Sequence, residues 1–224
     1  MSDPEYIEAQ QRRKRSHALL AGQKLPIIDS LPCFAPMSAV RMRPIDDVVH
    51  RAASLACINH RAHLEYLADL DDFMKEEGLF HHLTPEEKKF YFSPPDPLSP
   101  MAGRYAWCIE GCHALFWALG YFDSLSYPDA PTESKRLYQL FFAGGLRGFR
   151  AGSRLRKSQS VLDAVDLYFR YYAICRHAWE QSKHPPGMLN TTIIHQRYAA
   201  LLWLIGRGEW DEVQKSPSQP GVRS

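Results

Sequence analysis

Val161, Val165, Tyr168, Tyr172, Cys175 and Trp179 recur at alternating spacings of four and three residues. A stripe of that period lies on one face of an α-helix, whereas strand side chains change face at every residue. It predicts a helix from Ser158 to about Ser182, buried along the whole stripe. The rest of the chain carries the same period and almost no alternation of period two, so the fold class read from the sequence is all-α. The expected architecture is a compact single-domain bundle of about seven or eight helices with long Pro-rich connectors.

Cap signals place the other helices. A first helix over Pro4 to Ala21 ends at Gly22 and leads into an extended stretch punctuated by Pro26, Pro32 and Pro36. A second starts near Pro44, with Val48, Ala52, Leu55 and Ala56 on one face and Asp46 and Asp47 in its first turn. A third stretch covers Leu64 to Glu77 and stops at Gly78. Thr84-Pro85-Glu86-Glu87 then reads as an N-cap threonine, proline at the first helical position and two acids. Four prolines between Phe92 and Pro100 mark a rigid connector between an N-terminal half (1–92) and a C-terminal helical half (101–214), with a flexible tail over 215–224. In the second half follow an apolar helix over Met101 to Leu119, one over Thr132 to Ala143, a glycine-basic connector from Gly144 to Lys157, the striped helix, and a last helix from an Asn190 cap to Gly206. All five tryptophans lie between Trp107 and Trp210, which puts the tightest core there.

Composition adds exclusions. With 224 residues, 45% hydrophobic and 23% charged, the chain is long enough to bury roughly 70% of the surface that it exposes unfolded. Its 27 basic and 25 acidic residues leave a net charge of +2, unlike a histone-like protein or an acidic disordered tail. No apolar run approaches the roughly 20 residues of a membrane span, and the cluster Arg12-Arg13-Lys14-Arg15 lacks the long apolar stretch of a signal peptide. Five scattered cysteines without a C-x-x-C pair fit reduced thiols in a cytoplasmic protein.

Several segments together resemble a known family. They are Arg15-Ser16 with Gly22 and Leu25-Pro26, Asp46 to Ala52, Thr84 to Glu87, and Glu110 with Leu115 to Gly120. Leu162-Asp163 with Asp166, Tyr168, Arg170 and Arg176 follow, then Arg197 with Ala200, Leu201, Trp203 and Leu204, and Trp210 to Val213. Their order is similar to that of the bacterial family DUF4272, a domain of unknown function, over nearly the whole chain. Two positions depart from the family pattern: Gln196-Arg197 stands where Glu-Arg is expected, and Gln214-Lys215-Ser216 replaces an acidic-threonine ending. The departures argue against the C-terminal carboxylates as catalysts. The resemblance implies a helical intracellular protein with no assigned activity. Small helical proteins of this kind include immunity partners that silence a toxin of the same cell, an analogy of size and fold class rather than of motif.

The charged residues offer several candidate sites. Six acids against one lysine lie between Glu65 and Glu77. Glu65, Asp69, Asp71, Asp72, Glu76 and Glu77, interleaved with Tyr66 and Phe73, form either a solvated helix face or a surface that steers a basic partner and anchors it on an aromatic. The glycine-basic connector carries Arg147, Arg150, Arg154 and Arg156, which form a solvated linker or contact an anion. Glu110, alone in an apolar helix, needs a partner; Arg176 or Arg197 is expected, in a structural ion pair. Asp166 and Arg170, at i and i+4, read as a surface ion pair opposite the stripe, a face that Asp163 and His177 share. Cys108, Cys112 and His113, the pair His60 and His63, and His81-His82 suit packing and capping better than a metal site. No nucleophile elbow, phosphate loop or cofactor motif occurs.

These readings converge on a non-catalytic protein-binding module, best matched by an immunity protein that neutralises a secreted toxin such as a nuclease through the acidic helix. No catalytic residue, metal or cofactor is expected, and a membrane or nucleic-acid partner is disfavoured. The alternatives are a hydrolase using Glu110 with Asp163 or Asp166, and a nucleic-acid binder using Arg12 to Arg15 with the glycine-basic connector.

Overall fold

The computed structural model describes residues 4–63, 67–96 and 98–215. Among them the chain is all-helical, with eleven α-helices, three short 3-10 turns and no strand. In order, α1 is Pro4–Gly22, α2 Ile45–Ala62, α3 Leu67–Glu76, α4 Pro85–Tyr91, α5 Pro100–Ala106 and α6 Cys108–Ala118; α7 is Ser134–Phe142, α8 Gly145–Gly152, α9 Ser158–Glu180, α10 Thr191–Leu204 and α11 Trp210–Lys215. The number exceeds the expected seven or eight for three reasons: one expected helix is two, the glycine-basic connector is helical, and a short helix follows Gly208.

The helices fall into two compact units that interleave along the chain. Of the described residues, the first unit takes 4–42, 126–130 and 156–215, and the second takes 43–63, 67–96, 98–125 and 131–155. The proline-rich stretch 92–100 lies inside the second. In the first unit α9 packs on α1 and α10, and α10 on α11. Val161, Val165, Tyr168 and Cys175 of the stripe are buried, as expected, but the stripe is not buried to its end: Tyr172 is half-buried and Trp179 is 79% exposed. The helix outruns the layer that covers it, which a periodic pattern cannot reveal.

The opposite face of α9 is not at the surface either. The amphipathic reading assigns Asp166 and Arg170 to solvent, yet both are fully buried. Arg170 Nε and Nη2 donate to the two carboxylate oxygens of Asp166 at 2.8 and 2.9 Å, and Nη1 lies 3.2 Å from His17 Nε2 on α1. Helix α1 supplies the cover, and the three arginines of its basic cluster make contacts within the unit. Arg12, fully buried, pairs with Glu8, lies 3.7 Å from Asp163 and donates to the Ala35 carbonyl. Arg15 pairs with Asp163 at 2.6 Å, and Arg13 donates to the Asp29 carbonyl.

In the second unit α2 is the central helix, buried on nearly every side and packed against α5, α6, α7 and α8. The expected helix over Met101 to Leu119 breaks at Trp107. There the Glu110 amide bonds back to the Trp107 carbonyl, three residues away, and leaves the Ala106 carbonyl without its usual partner. Asn59 of α2, fully buried, donates to the carbonyls of Ala106 and Tyr105 at 2.8 and 3.3 Å and accepts from Tyr138 Oη. The break is thus stabilised by a residue some fifty positions earlier.

Candidate functional site

Helix α3 and the end of α4 build the cleft in which the sequence-predicted acids meet aromatic rings. Leu70 and Met74, one turn apart on α3, are buried and fix which side of the helix faces the core. The helix ends where Gly78 takes a left-handed conformation with φ of 65°, and a 3-10 turn at Leu79–His82 follows. Asp69, Asp71, Asp72, Lys75 and Glu76 then face water.

Helix α4 begins as read: Thr84 accepts from the Glu87 amide while the Glu87 carboxylate accepts from the Thr84 amide, a complete capping box. Glu87 is buried and also pairs with Arg51 at 2.6 Å, so the cap is anchored to α2. The far end of α4 is held by Arg61, which is 5% exposed and donates to the carbonyls of Tyr91 and Ser93. Its guanidinium lies 5.5 Å from the Phe90 ring centroid.

These anchors position Tyr91 and Phe92. Phe92 stacks on Phe80 at 5.6 Å, and Tyr91 meets both rings edge-on at 5.3 and 5.4 Å. Tyr91 Oη donates to Asp71 Oδ1 at 2.6 Å, and burial, then that carboxylate, push the phenol pKa well up, so it stays a donor. The resulting cleft of about 440 Å³ is lined by Arg61, Asp71, Asp72, Lys75, Phe80, Tyr91, Phe92 and Pro95. Two carboxylates beside an exposed ring system can bind a cationic group by charge and by the negative faces of the rings.

The other sequence-predicted residues distribute as follows. Glu65 and Tyr66 lie outside the described residues. Phe73 is half-buried and packs edge-on against Phe141 and Phe142, so it serves the core rather than a partner. Glu77 points inward, where its carboxylate accepts from the Leu146 amide at the start of α8. The stretch around it is no linker: α8 forms because Phe149 is buried against Phe116, Tyr121 and Phe141. Arg150 pairs with Asp46, and Arg154 turns back onto the carbonyls of Ala151 and Ser153. Arg147 is exposed and Arg156 half-buried.

Glu110 is fully buried, and its two oxygens accept from the backbone amide and hydroxyl of Thr132 at 2.6 and 2.8 Å. The Thr132 hydroxyl also lies 3.1 Å from His113 Nδ1. Arg197, fully buried, donates to the Ser126 carbonyl and to Tyr168 Oη at 2.8 and 3.0 Å, and Arg176 lies 3.3 Å from Glu180. Cys108 and Cys112 donate to the carbonyls of Leu55 and Ala52, and burial raises both thiol pKa values, which disfavours the thiolate that a metal needs. Among the described residues no group of three or more His, Cys, Asp or Glu could hold a metal ion, and no helix is long and apolar enough to cross a membrane.

Sequence reasoning missed Phe80, Tyr91 and Phe92. The adjacent pair Tyr91-Phe92 before two prolines was the available signal, because large apolar residues at a rigid helix end have no covering turn beyond them. Comparison with known proteins finds no match among curated proteins or solved structures. A family model, in contrast, matches residues 12–213, and the chain belongs to the family described as Domain of unknown function (DUF4272).

Proposed function

We propose that this chain is a non-catalytic protein-binding module, of the immunity type, that binds and neutralises a basic toxin such as a nuclease. The observation that carries the reading is the exposed acidic face of α3 beside an open aromatic cleft. Exposed carboxylates steer a basic partner, and rings with one exposed face supply apolar contact once it arrives. The engagement of Arg12, Arg13, Arg15, Arg150 and Arg154 in internal contacts also favours a protein partner over a phosphate backbone.

Co-expression with the product of the neighbouring gene tests the proposal. The expected result is a complex that survives size-exclusion chromatography and restores growth to cells making the toxin. Reversing the face with Asp69→Lys, Asp72→Lys and Glu76→Lys together should abolish both. A chain that neither binds nor protects would overturn it.

A further inference from the structure

We infer that the cleft between α3 and the end of α4 receives one arginine side chain of a protein partner, its guanidinium flat on Phe92 and its N–H groups on Asp71 and Asp72. The inference rests on the protein-binding reading above and names the contact that would carry it.

Phe92 is 67% exposed, yet it is held in place from behind by Phe80 and from the side by Tyr91. A large ring that is both exposed and fixed offers a prepared face, with no ordering left to do when a ligand arrives. The face is negative and attracts a cation, and of the two basic side chains only the guanidinium is planar enough to lie along a ring while its edge donates hydrogen bonds. The edge has acceptors to meet. Asp71 Oδ1 accepts from Tyr91 Oη, which fixes the carboxylate, and Oδ2 has no hydrogen bond among the described residues. Asp72 lines the same cleft and is exposed.

Two cations also line the cleft, and they sharpen the proposal. Arg61 is buried in the wall, where it donates to carbonyls of the segment that carries the rings. Lys75 is exposed, four residues after Asp71 and three after Asp72, the spacing at which a helix brings opposite charges together. It makes no ion pair with either carboxylate among the described residues, so it acts on an incoming guanidinium as a nearby like charge that weakens its binding.

The test is an NMR titration of the full chain with the capped peptide Gly-Ser-Arg-Ser-Gly and with its lysine counterpart. The arginine peptide should shift the ring protons of Tyr91 and Phe92 saturably, and the lysine peptide should bind about fivefold more weakly. Lys75→Ala should tighten arginine binding about threefold by removing the like charge that lines the cleft, a gain that general damage to the fold would not produce. Phe92→Ala should abolish binding while the remaining spectrum stays that of the folded chain. Equal binding of the two peptides, no gain in Lys75→Ala, persistence in Phe92→Ala or the absence of a saturable shift would each overturn the inference. Spermidine binding at the same rings as tightly as the arginine peptide would instead assign a polyamine site, and would overturn it too. Partner capture that survives Phe92→Ala but not the reversed acidic face defeats the arginine contact and leaves the protein-binding reading standing; capture unaffected by either change defeats both.

Discussion

Several of the residues that carry the family resemblance are buried polar groups. Arg51, Glu87, Glu110, Asp166, Arg170 and Arg197 are all buried, and each meets a named partner inside its own unit. Buried charge is tolerated only when paired or hydrogen-bonded, so such motifs mark positions where the fold has little freedom to substitute. Glu87 is the sharpest case, because one oxygen serves both the α4 cap and Arg51. Glu87→Ala should cost about 3–5 kcal/mol in a denaturant melt, since it leaves the Arg51 charge buried and removes half of the capping box. Asn59→Ala should cost about 2 kcal/mol, because the Ala106 and Tyr105 carbonyls and the Tyr138 hydroxyl all lose a partner in the core. A control at Lys88, exposed on α4, should stay within about 0.5 kcal/mol of the parent.

Helices were legible in the sequence where their own residues decide them. The Thr84 cap, the Asn190 cap and the Gly78 stop are local, and the structure has all three. What the sequence could not show depends on distant partners: the break at Trp107 needs Asn59, the burial of Asp166 and Arg170 needs α1, and helix α8 needs the aromatic bed under Phe149. The acidic helix was legible for the same reason as the caps, whereas its ring platform was not, because Phe80 and Phe92 meet only when the chain turns between them. Two element contacts make a pH prediction. His17 lies against Arg170, and burial, then that guanidinium, lower its pKa below the ordinary 6.5. His82 stacks on His50 at 3.8 Å, and burial, followed by His50, Arg51 and His81, lowers it likewise, against the opposing pull of Asp47. In both cases the unfolded chain takes up a proton at a higher pH than the fold does. Stability is therefore full above about pH 6.5 and falls as the pH drops through the folded values. Thermal melts between pH 8 and 5 should show this slope, and His17→Gln combined with His82→Gln should flatten it; an unchanged slope would rule these histidines out as its source.

For the molecule as a whole, a net charge of +2 conceals how each sign is used. Arg12, Arg15, Arg51, Arg150 and Arg170 are paired with carboxylates inside one or the other unit, while Asp69, Asp71, Asp72 and Glu76 remain at the surface. The pairs remove as many carboxylates as cations, so the acids of α3 are a local excess, offset in the total by exposed cations elsewhere such as Lys14, Lys88 and Arg147. A face of that kind acts at a distance, by raising the rate at which a basic partner arrives in a productive orientation, and contributes less to holding it afterwards. Association with the basic partner proposed above should accordingly slow about tenfold between 25 and 300 mM salt, as the Debye length shrinks below the width of the face, while dissociation changes little. The single reversals Asp69→Lys and Glu76→Lys should each lower the association rate, flatten its salt dependence and leave the melting temperature near that of the parent, because neither side chain supports the core. Stopped-flow association at several salt concentrations reads both effects, and an association rate indifferent to salt would remove the acidic face from the encounter.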